Sequence, residues 1–337
     1  MREARLYEKL EDNKVKCNLC NHRCVIKEGK RGICGVRENK SGELFSLVYA
    51  RPIATHIDPI EKKPLFHFQP GSRSFSLATV GCNFRCLFCQ NADISQMPRD
   101  SKRILGDHVS PEEILELAKR YSCSSISYTY TEPTVYFEYA YDIGVLAHKA
   151  NIKNVFVSNG YMTKEALEEY YPHLDAANID LKAFRDKFYK DLCGAKLEPV
   201  LETLKTLKEQ GVWVEVTTLI IPGHNDDFDE LRDIARFIAR ELGTETPWHI
   251  SRFHPTYKLT TAPVTPATTI QRAREIGLEE ELQFVYSGNL PGDDGEKTYC
   301  PGCKKVVIDR FGFSILSNKV ENGSCPFCKT PIAGVDL

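Results

Sequence analysis

Thirteen cysteines constrain this 337-residue chain more than any other feature of its sequence. They fall into three sets: Cys17, Cys20, Cys24 and Cys34; then Cys82, Cys86 and Cys89; then Cys300, Cys303, Cys325 and Cys328, with Cys123 and Cys193 left over. No apolar run approaches the roughly 20 residues of a membrane helix, and the opening MREARLYEKLEDNKVK lacks a signal-like apolar segment, so a cytoplasmic location is expected. Disulfides are disfavoured in that reducing compartment, and metal or cluster ligation becomes the expected use of the thiols.

The spacings separate the sets. Cys300-Pro-Gly-Cys303 and Cys325-Pro-Phe-Cys328 are two C-x2-C knuckles, the pattern of one tetrahedral zinc or rubredoxin-like iron site. So short a segment has no core of its own, and its metal is expected to brace a ribbon packed near the mouth of the main domain. The amino-terminal set reads C-x2-C-x3-C-x9-C, with His22 as a substitute ligand, and accommodates either zinc or an auxiliary [4Fe–4S] cluster. The middle set, Gly81-Cys82-Asn83-Phe84-Arg85-Cys86-Leu87-Phe88-Cys89-Gln90, has three ligands and no fourth. Three thiolates occupy three corners of a [4Fe–4S] cubane and leave one iron open, whereas structural zinc wants four protein ligands. The bland alternative is a zinc knuckle that borrows a distant cysteine. Cys123 and Cys193 read as structural.

Between residues 74 and 290 strand-like and helix-like segments alternate. SFSLATV is followed by SPEEILELAKRY, SSISYTYT, TVYFEYAYDIGVLAHKA, NVFVSNG, TKEALEEYY, ANIDLK, LEPVLETLKTLKEQ, WVEVTTLII, DDFDELRDIARFIARELG and WHISRF. That makes about six βα units, and the string fits either an incomplete (β/α) barrel or a flat doubly wound sheet. The expected division is a Cys-rich segment over 1–70, the α/β domain over 71–290 and a zinc-ribbon or rubredoxin-like segment over 291–337. The three-cysteine loop follows the first strand and so belongs at the carboxyl-end rim, where such proteins place their sites. In ANIDLK, Asn178, Asp180 and Lys182 share one strand face, as residues lining a cavity would.

C-x3-C-x2-C with an aromatic before the last cysteine is similar to the radical S-adenosylmethionine (SAM) signature, and GCNFRCLFCQN resembles its glycyl-radical-activase branch, that of the pyruvate formate-lyase activating enzymes. CNLCNHRCVIKEGKRGICGVREN, DPIEKKPLFHFQPGS, SYTYTEPTVYFEY, NIDLKAF, TTLIIPGHND and HISRFHP resemble the radical SAM member of the AmmeMemoRadiSam system over nearly the whole chain. The resemblance implies a partial (β/α)6 TIM-like barrel, a [4Fe–4S] cluster on Cys82, Cys86 and Cys89, and SAM cleaved reductively to a 5′-deoxyadenosyl radical that takes hydrogen from a substrate. It implies that Asp180 and Lys182 contact SAM, although an interior ion pair that only fixes packing is the plainer reading. Glu132 is implied to meet the SAM ammonium group, or else caps the helix that follows it. Tyr130 and Thr131 stand where the superfamily's Gly-Gly-Glu turn has glycines. Ser158 and Asn159 correspond to a turn that reaches the ribose, and His254 to a histidine near SAM; otherwise these are a strand exit and a loop residue. Pro222-Gly223-His224-Asn225-Asp226 reads as a turn and helix cap with no catalytic role.

The implied partners are a reductant protein and a protein substrate, with Memo-type proteins suggested by the family. Forty-four basic against 46 acidic residues leave a net charge of −2, which argues against nucleic acid and anionic membranes. An iron–sulfur and zinc electron carrier, or a nucleic-acid-binding protein, are the rival classes. No residue declares itself catalytic toward a substrate group.

Overall fold

The computed structural model describes residues 1–290 and 293–337; the boundary expected at 290/291 abuts Pro291 and Gly292, outside the described residues. Seven strands lie side by side in chain order, all parallel: Arg73–Ala78, Ser125–Tyr128, Lys153–Ser158, Ala176–Asp180, Trp213–Ile220, Trp248–Arg252 and Val285–Gly288. A doubly wound sheet would reverse its order from a middle strand, so sequential order excludes that alternative. The sheet stays open: Val285–Gly288 ends it on one side, and on the other Ala54–Pro59 runs antiparallel to the first strand. Six of the parallel strands are those expected from the alternation. The seventh, Val285–Gly288, was not among them.

The connecting helices are specified by local signals. Ser110 opens Pro111–Arg120 with a capping box, its hydroxyl accepting from Glu113 N at 3.2 Å while the Glu113 carboxylate accepts from Ser110 N at 2.6 Å. Its apolar stripe of Ile114, Leu115 and Ala118 is buried. Phe137–Lys149, Lys164–Tyr170, Glu198–Glu209, Phe228–Phe237 and Ala267–Glu279 follow the second to sixth strands in turn. Strands such as Ser125–Tyr128 are buried at every position, as a parallel strand covered on both faces must be.

The first fifty residues form two small antiparallel sheets, one of Tyr7–Lys9, Val15–Cys17 and Val25–Ile26, the other of Arg2–Glu3, Glu43–Ser46 and Arg37–Lys40. They dock on the carboxyl-end rim. Asn21 N donates to Tyr161 O at 3.1 Å, and Thr163 Oγ1 donates to Asn18 O at 2.7 Å. Arg37 is buried in a bidentate pair with Glu138, at 2.9 and 3.2 Å.

The carboxyl-terminal ribbon, Thr298–Tyr299, Val306–Phe311 and Ser314–Asn318, was expected near the mouth and lies at the opposite end. Cys300, Val307, Ile308 and Ile332 pack in one cluster with Phe66, Phe284 and Tyr286, and Val335 and Trp213 pack against a second cluster that holds Val155 and Ala176. These partners stand at or near the starts of strands, so apolar surface is buried at the sheet's base, away from the cysteine rim. A polar network seals the joint. Buried Glu215 accepts from Phe66 N, His67 N and Trp213 Nε1 at 3.0, 2.8 and 3.0 Å and pairs with His249 Nε2 at 2.6 Å. The His67 ring bridges Ala333 O at 2.6 Å and the Tyr286 hydroxyl at 2.5 Å.

Candidate active site and metal centres

The first strand ends at Ala78, and the loop that leaves it carries Cys82, Cys86 and Cys89 across the rim. Gly81 makes the entry possible: its φ is 103°, and a Cβ there would stand 2.6 Å from Val36 Cγ1 and 3.1 Å from Cys34 O. The turn around Cys193 cradles the loop, Arg85 N donating to Cys193 O at 2.8 Å and Leu87 N to Leu192 O at 2.9 Å. Lys258 N donates to Leu87 O at 2.9 Å from the loop after the sixth strand.

Cys86 is buried, yet its thiol is held below the ordinary range by a hydrogen bond with Cys193 and by the charge of Lys182. Lys182 ion-pairs with Asp180 at 2.8 Å and lies 5.9 Å over the Phe88 ring. Burial opposes the lysine's charge, but Asp180 and the Cys86 sulfur outweigh it, and the ammonium stays well above its usual pKa. The strand end bearing this pair is fixed by two residues without charge. Lys182 N donates to the Tyr189 hydroxyl at 2.9 Å, and Asn225 Nδ2 donates to Lys182 O at 2.6 Å. Asn178, on the same face, is spent on structure, donating to Pro64 O at 2.7 Å and accepting from Thr217 Oγ1 at 2.8 Å.

Cys82 faces a second group. Its thiol is pushed well up by burial and by Glu132. Glu132 caps Pro133–Tyr136, Oε1 accepting from Thr134 N at 3.1 Å, Thr134 Oγ1 at 2.6 Å and Ser158 Oγ at 2.8 Å, while Oε2 accepts from Asn159 N at 2.8 Å. Burial raises this carboxyl, and the same donors counter the rise. Asn159 Nδ2 reaches Asn83 Oδ1 at 2.7 Å. Glu132, Ser158 and Asn159 therefore form one unit beside Cys82. Tyr130 takes a φ of 61°, the left-handed conformation a glycine would prefer, and its hydroxyl is anchored on Asp58.

Of the SAM-contact candidates named from sequence, only His254 stays apart from these two groups, with an exposed side chain. His22, considered as a ligand, gives Nε2 to Asn83 O at 2.8 Å instead. Cys193 and Asn225 were overlooked as site residues. Asn225 sits in a turn whose composition announces only a turn, and it also accepts from Ile221 N at 2.6 Å, while Asp227 caps the next helix.

At the base, Cys300, Cys303, Cys325 and Cys328 converge, all their sulfurs within 4.8 Å of one another, with Cys300–Cys328 at 3.5 Å and Cys303–Cys325 at 3.7 Å. Sulfurs about 2.3 Å from one tetrahedral ion stand about 3.8 Å apart, so this set suits a single metal ion. Both knuckles turn alike, with Lys304 and Lys329 at φ 60° and 61° after the second cysteine of each.

The model of the radical SAM superfamily matches residues 76–238, from the first strand through the helix after the fifth. The chain is a radical SAM enzyme. It belongs to one family with an uncharacterized protein of Methanocaldococcus jannaschii, 53% identical over 330 residues that cover 97% of this chain and 98% of that one. It is homologous to glycyl-radical activating enzymes: the pyruvate formate-lyase 1-activating enzyme of Escherichia coli K12 is 24% identical over 193 residues, 55% of this chain and 75% of that enzyme. Streptococcus suis SuiB bound to S-adenosylmethionine shares the fold, with a TM-score of 0.51 at 14% identity over 69% of this chain and 53% of that one. No helix among the described residues is long and apolar enough to cross a membrane.

Proposed function

We propose that this radical SAM enzyme holds a [4Fe–4S] cluster on Cys82, Cys86 and Cys89, binds SAM at the iron these three leave open, and acts on a protein substrate. A cluster held there would supply the one-electron chemistry for reductive cleavage of SAM to methionine and a 5′-deoxyadenosyl radical able to take hydrogen from a substrate. The observation that carries this reading is the convergence of two charged groups on one three-thiol loop: Asp180–Lys182 beside Cys86, and Glu132 with Ser158 and Asn159 beside Cys82.

Lys182 favours the thiolate of Cys86, the form that binds iron. Glu132 Oε2 accepts a single protein hydrogen bond, which leaves it capacity for an ammonium group such as that of SAM. Ser158 and Asn159, tied to Glu132, are proposed to meet the ribose, and Asp180 and Lys182 to meet polar groups of the same molecule. His254, exposed at the end of the sixth strand, is proposed to join only when SAM is present. The base site is proposed to hold zinc as a brace; its distance from the rim argues against electron delivery from an iron ion there.

The wider reading places the chain in the AmmeMemoRadiSam system, with a separate reductant protein and a Memo-type or other protein as substrate. Similarity to activating enzymes, which act on proteins, supports the substrate class. The test is anaerobic reconstitution with iron and sulfide, then dithionite and SAM, with 5′-deoxyadenosine measured by chromatography. Wild-type protein should form it and Cys86→Ala should not; appreciable cleavage by that variant would sink the assignment. A reducible cluster that leaves SAM intact would favour a plain electron carrier.

A further inference from the structure

Cys17, Cys20, Cys24 and Cys34 line one cavity, together with Arg37 and the apolar side chain of Ile26. They surround it too widely for a single metal ion. Among the described residues the base quartet alone brings three or more such ligand atoms within 4.8 Å of one another; no three of the amino-terminal thiols do so. Cys82, Cys86 and Cys89 do not either. The chain thus carries its own comparison: one quartet at the spacing of a lone tetrahedral ion, and two sets more open. A cubane requires the open arrangement, because each cysteine binds a different iron at a different corner.

A second observation concerns charge. Arg37 is 1% exposed, and its terminal nitrogens are taken by Glu138 and by Arg5 O at 2.7 Å, but its Nε has no partner. A buried N–H without an acceptor costs about 1–3 kcal/mol. The sulfides and thiolates of an anionic cluster would accept it and would place negative charge beside a fixed cation.

The third is location. His22, two residues from Cys20, bonds through Nε2 to Asn83 O at 2.8 Å, and Asn83 adjoins Cys82. Cys34 O lies against Gly81, on the other side of Cys82. We propose that Cys17, Cys20, Cys24 and Cys34 hold a second [4Fe–4S] cluster, saturated by four thiolates, that exchanges single electrons with the site on Cys82, Cys86 and Cys89. Saturation leaves no iron open, so this cluster binds neither SAM nor substrate. A low-potential one-electron donor, dithionite in the assay, loses one electron; the second cluster gains it and is reoxidised as the first is reduced. The metal assignment stands on its own, while the exchange rests on the SAM reading above.

The experiment uses the full chain with Cys82, Cys86 and Cys89 all replaced by alanine, reconstituted anaerobically. It should retain about four irons and four sulfides per chain, with about one zinc, and dithionite should produce an electron paramagnetic resonance signal that SAM does not alter. About two zincs and no iron would overturn the proposal. In wild-type protein iron should rise to about eight per chain, and the two reduced clusters should broaden each other's signals. Two sharp, independent signals would overturn the exchange while leaving the second cluster in place. A Cys20→Ala/Cys24→Ala variant should lose half the iron and keep a signal that SAM shifts; if that variant fails to fold, the triple alanine variant still decides the metal. Failure of the SAM reading looks different: both clusters present and neither signal responsive to SAM.

Discussion

Replacing Glu132 by alanine separates two uses of one carboxylate. The side chain accepts hydrogen bonds from two buried backbone N–H groups, Thr134 and Asn159, and from the hydroxyls of Thr134 and Ser158. Hydroxyls can rotate toward other acceptors; backbone N–H groups at these positions cannot. Each one left bare costs about 1–3 kcal/mol, so Glu132→Ala should lose about 2–6 kcal/mol of stability, a large part of the 5–15 kcal/mol typical of a folded domain. Glu132→Gln keeps one acceptor oxygen for the Thr134 and Ser158 donors on Oε1 but turns an NH2 toward Asn159 N–H, and should lose about half as much. Urea unfolding of the reconstituted protein, with and without SAM, measures both variants. If Glu132 also receives the SAM ammonium, the glutamine variant should remain folded yet bind SAM at least tenfold more weakly, because the charge of the acceptor is gone. Unfolding midpoints of Glu132→Ala indistinguishable from wild type would refute the cap argument. Unchanged SAM affinity in a folded Glu132→Gln protein would refute the ammonium contact.

Further expectations follow from the base and from the thiol pair. Cys325→Ser should abolish metal binding at the base and lower the melting temperature, while folded molecules cleave SAM at the wild-type rate; loss of cleavage in a protein that stays folded would contradict the separation of base and rim. His67, held down to about 4 by burial, binds its proton less readily in the folded chain than in the unfolded one. Its share of stability is therefore complete above about pH 6.5 and disappears as the pH falls toward 4, about 3 kcal/mol in all. Urea unfolding across that range should show a steeper loss in wild type than in His67→Gln, and parallel curves would count against it. Cys193→Ala removes the hydrogen bond to Cys86 and should move the reduction potential of the cluster site to a more negative value in a redox titration; an unchanged potential would show that the Cys193 thiol does not tune it.

Ligand chemistry was the most legible part of the chain. A metal demands particular atoms at particular spacings, so Cys300-Pro-Gly-Cys303 with Cys325-Pro-Phe-Cys328 announced a convergence that the structure displays. Strands such as Lys153–Ser158 and Ala176–Asp180 were legible from alternation with helices, and Ser110 from its cap. What escaped were relations between distant positions. Cys193 looks like an idle thiol until the fold sets it against Cys86, and Glu215 and His67 look like isolated polar residues until they are found closing the base. The ribbon's location escaped for the same reason: nothing local in Val307, Ile308 or Ile332 says which end of the sheet their apolar side chains will cover. Tyr130 shows a different limit, because its tyrosine hides a backbone conformation that a glycine would have advertised.

The bridge from His67 to Ala333 joins positions 266 residues apart. Such a contact cannot form while the chain is still short on the ribosome, and long-range closure of this kind is slow for any chain. The rim, by contrast, is built largely from residues before 195, and its cysteine loop can meet Lys182 and Cys193 well before the base is sealed. During synthesis the molecule is therefore a half-finished vessel whose mouth is shaped while its floor is missing. A metal ion arriving at Cys300, Cys303, Cys325 and Cys328 would then act as the last fastening, and a metal-starved cell would accumulate chains with a formed rim and an exposed floor of Phe66, Phe284 and Tyr286, the surface on which chaperones and proteases act first.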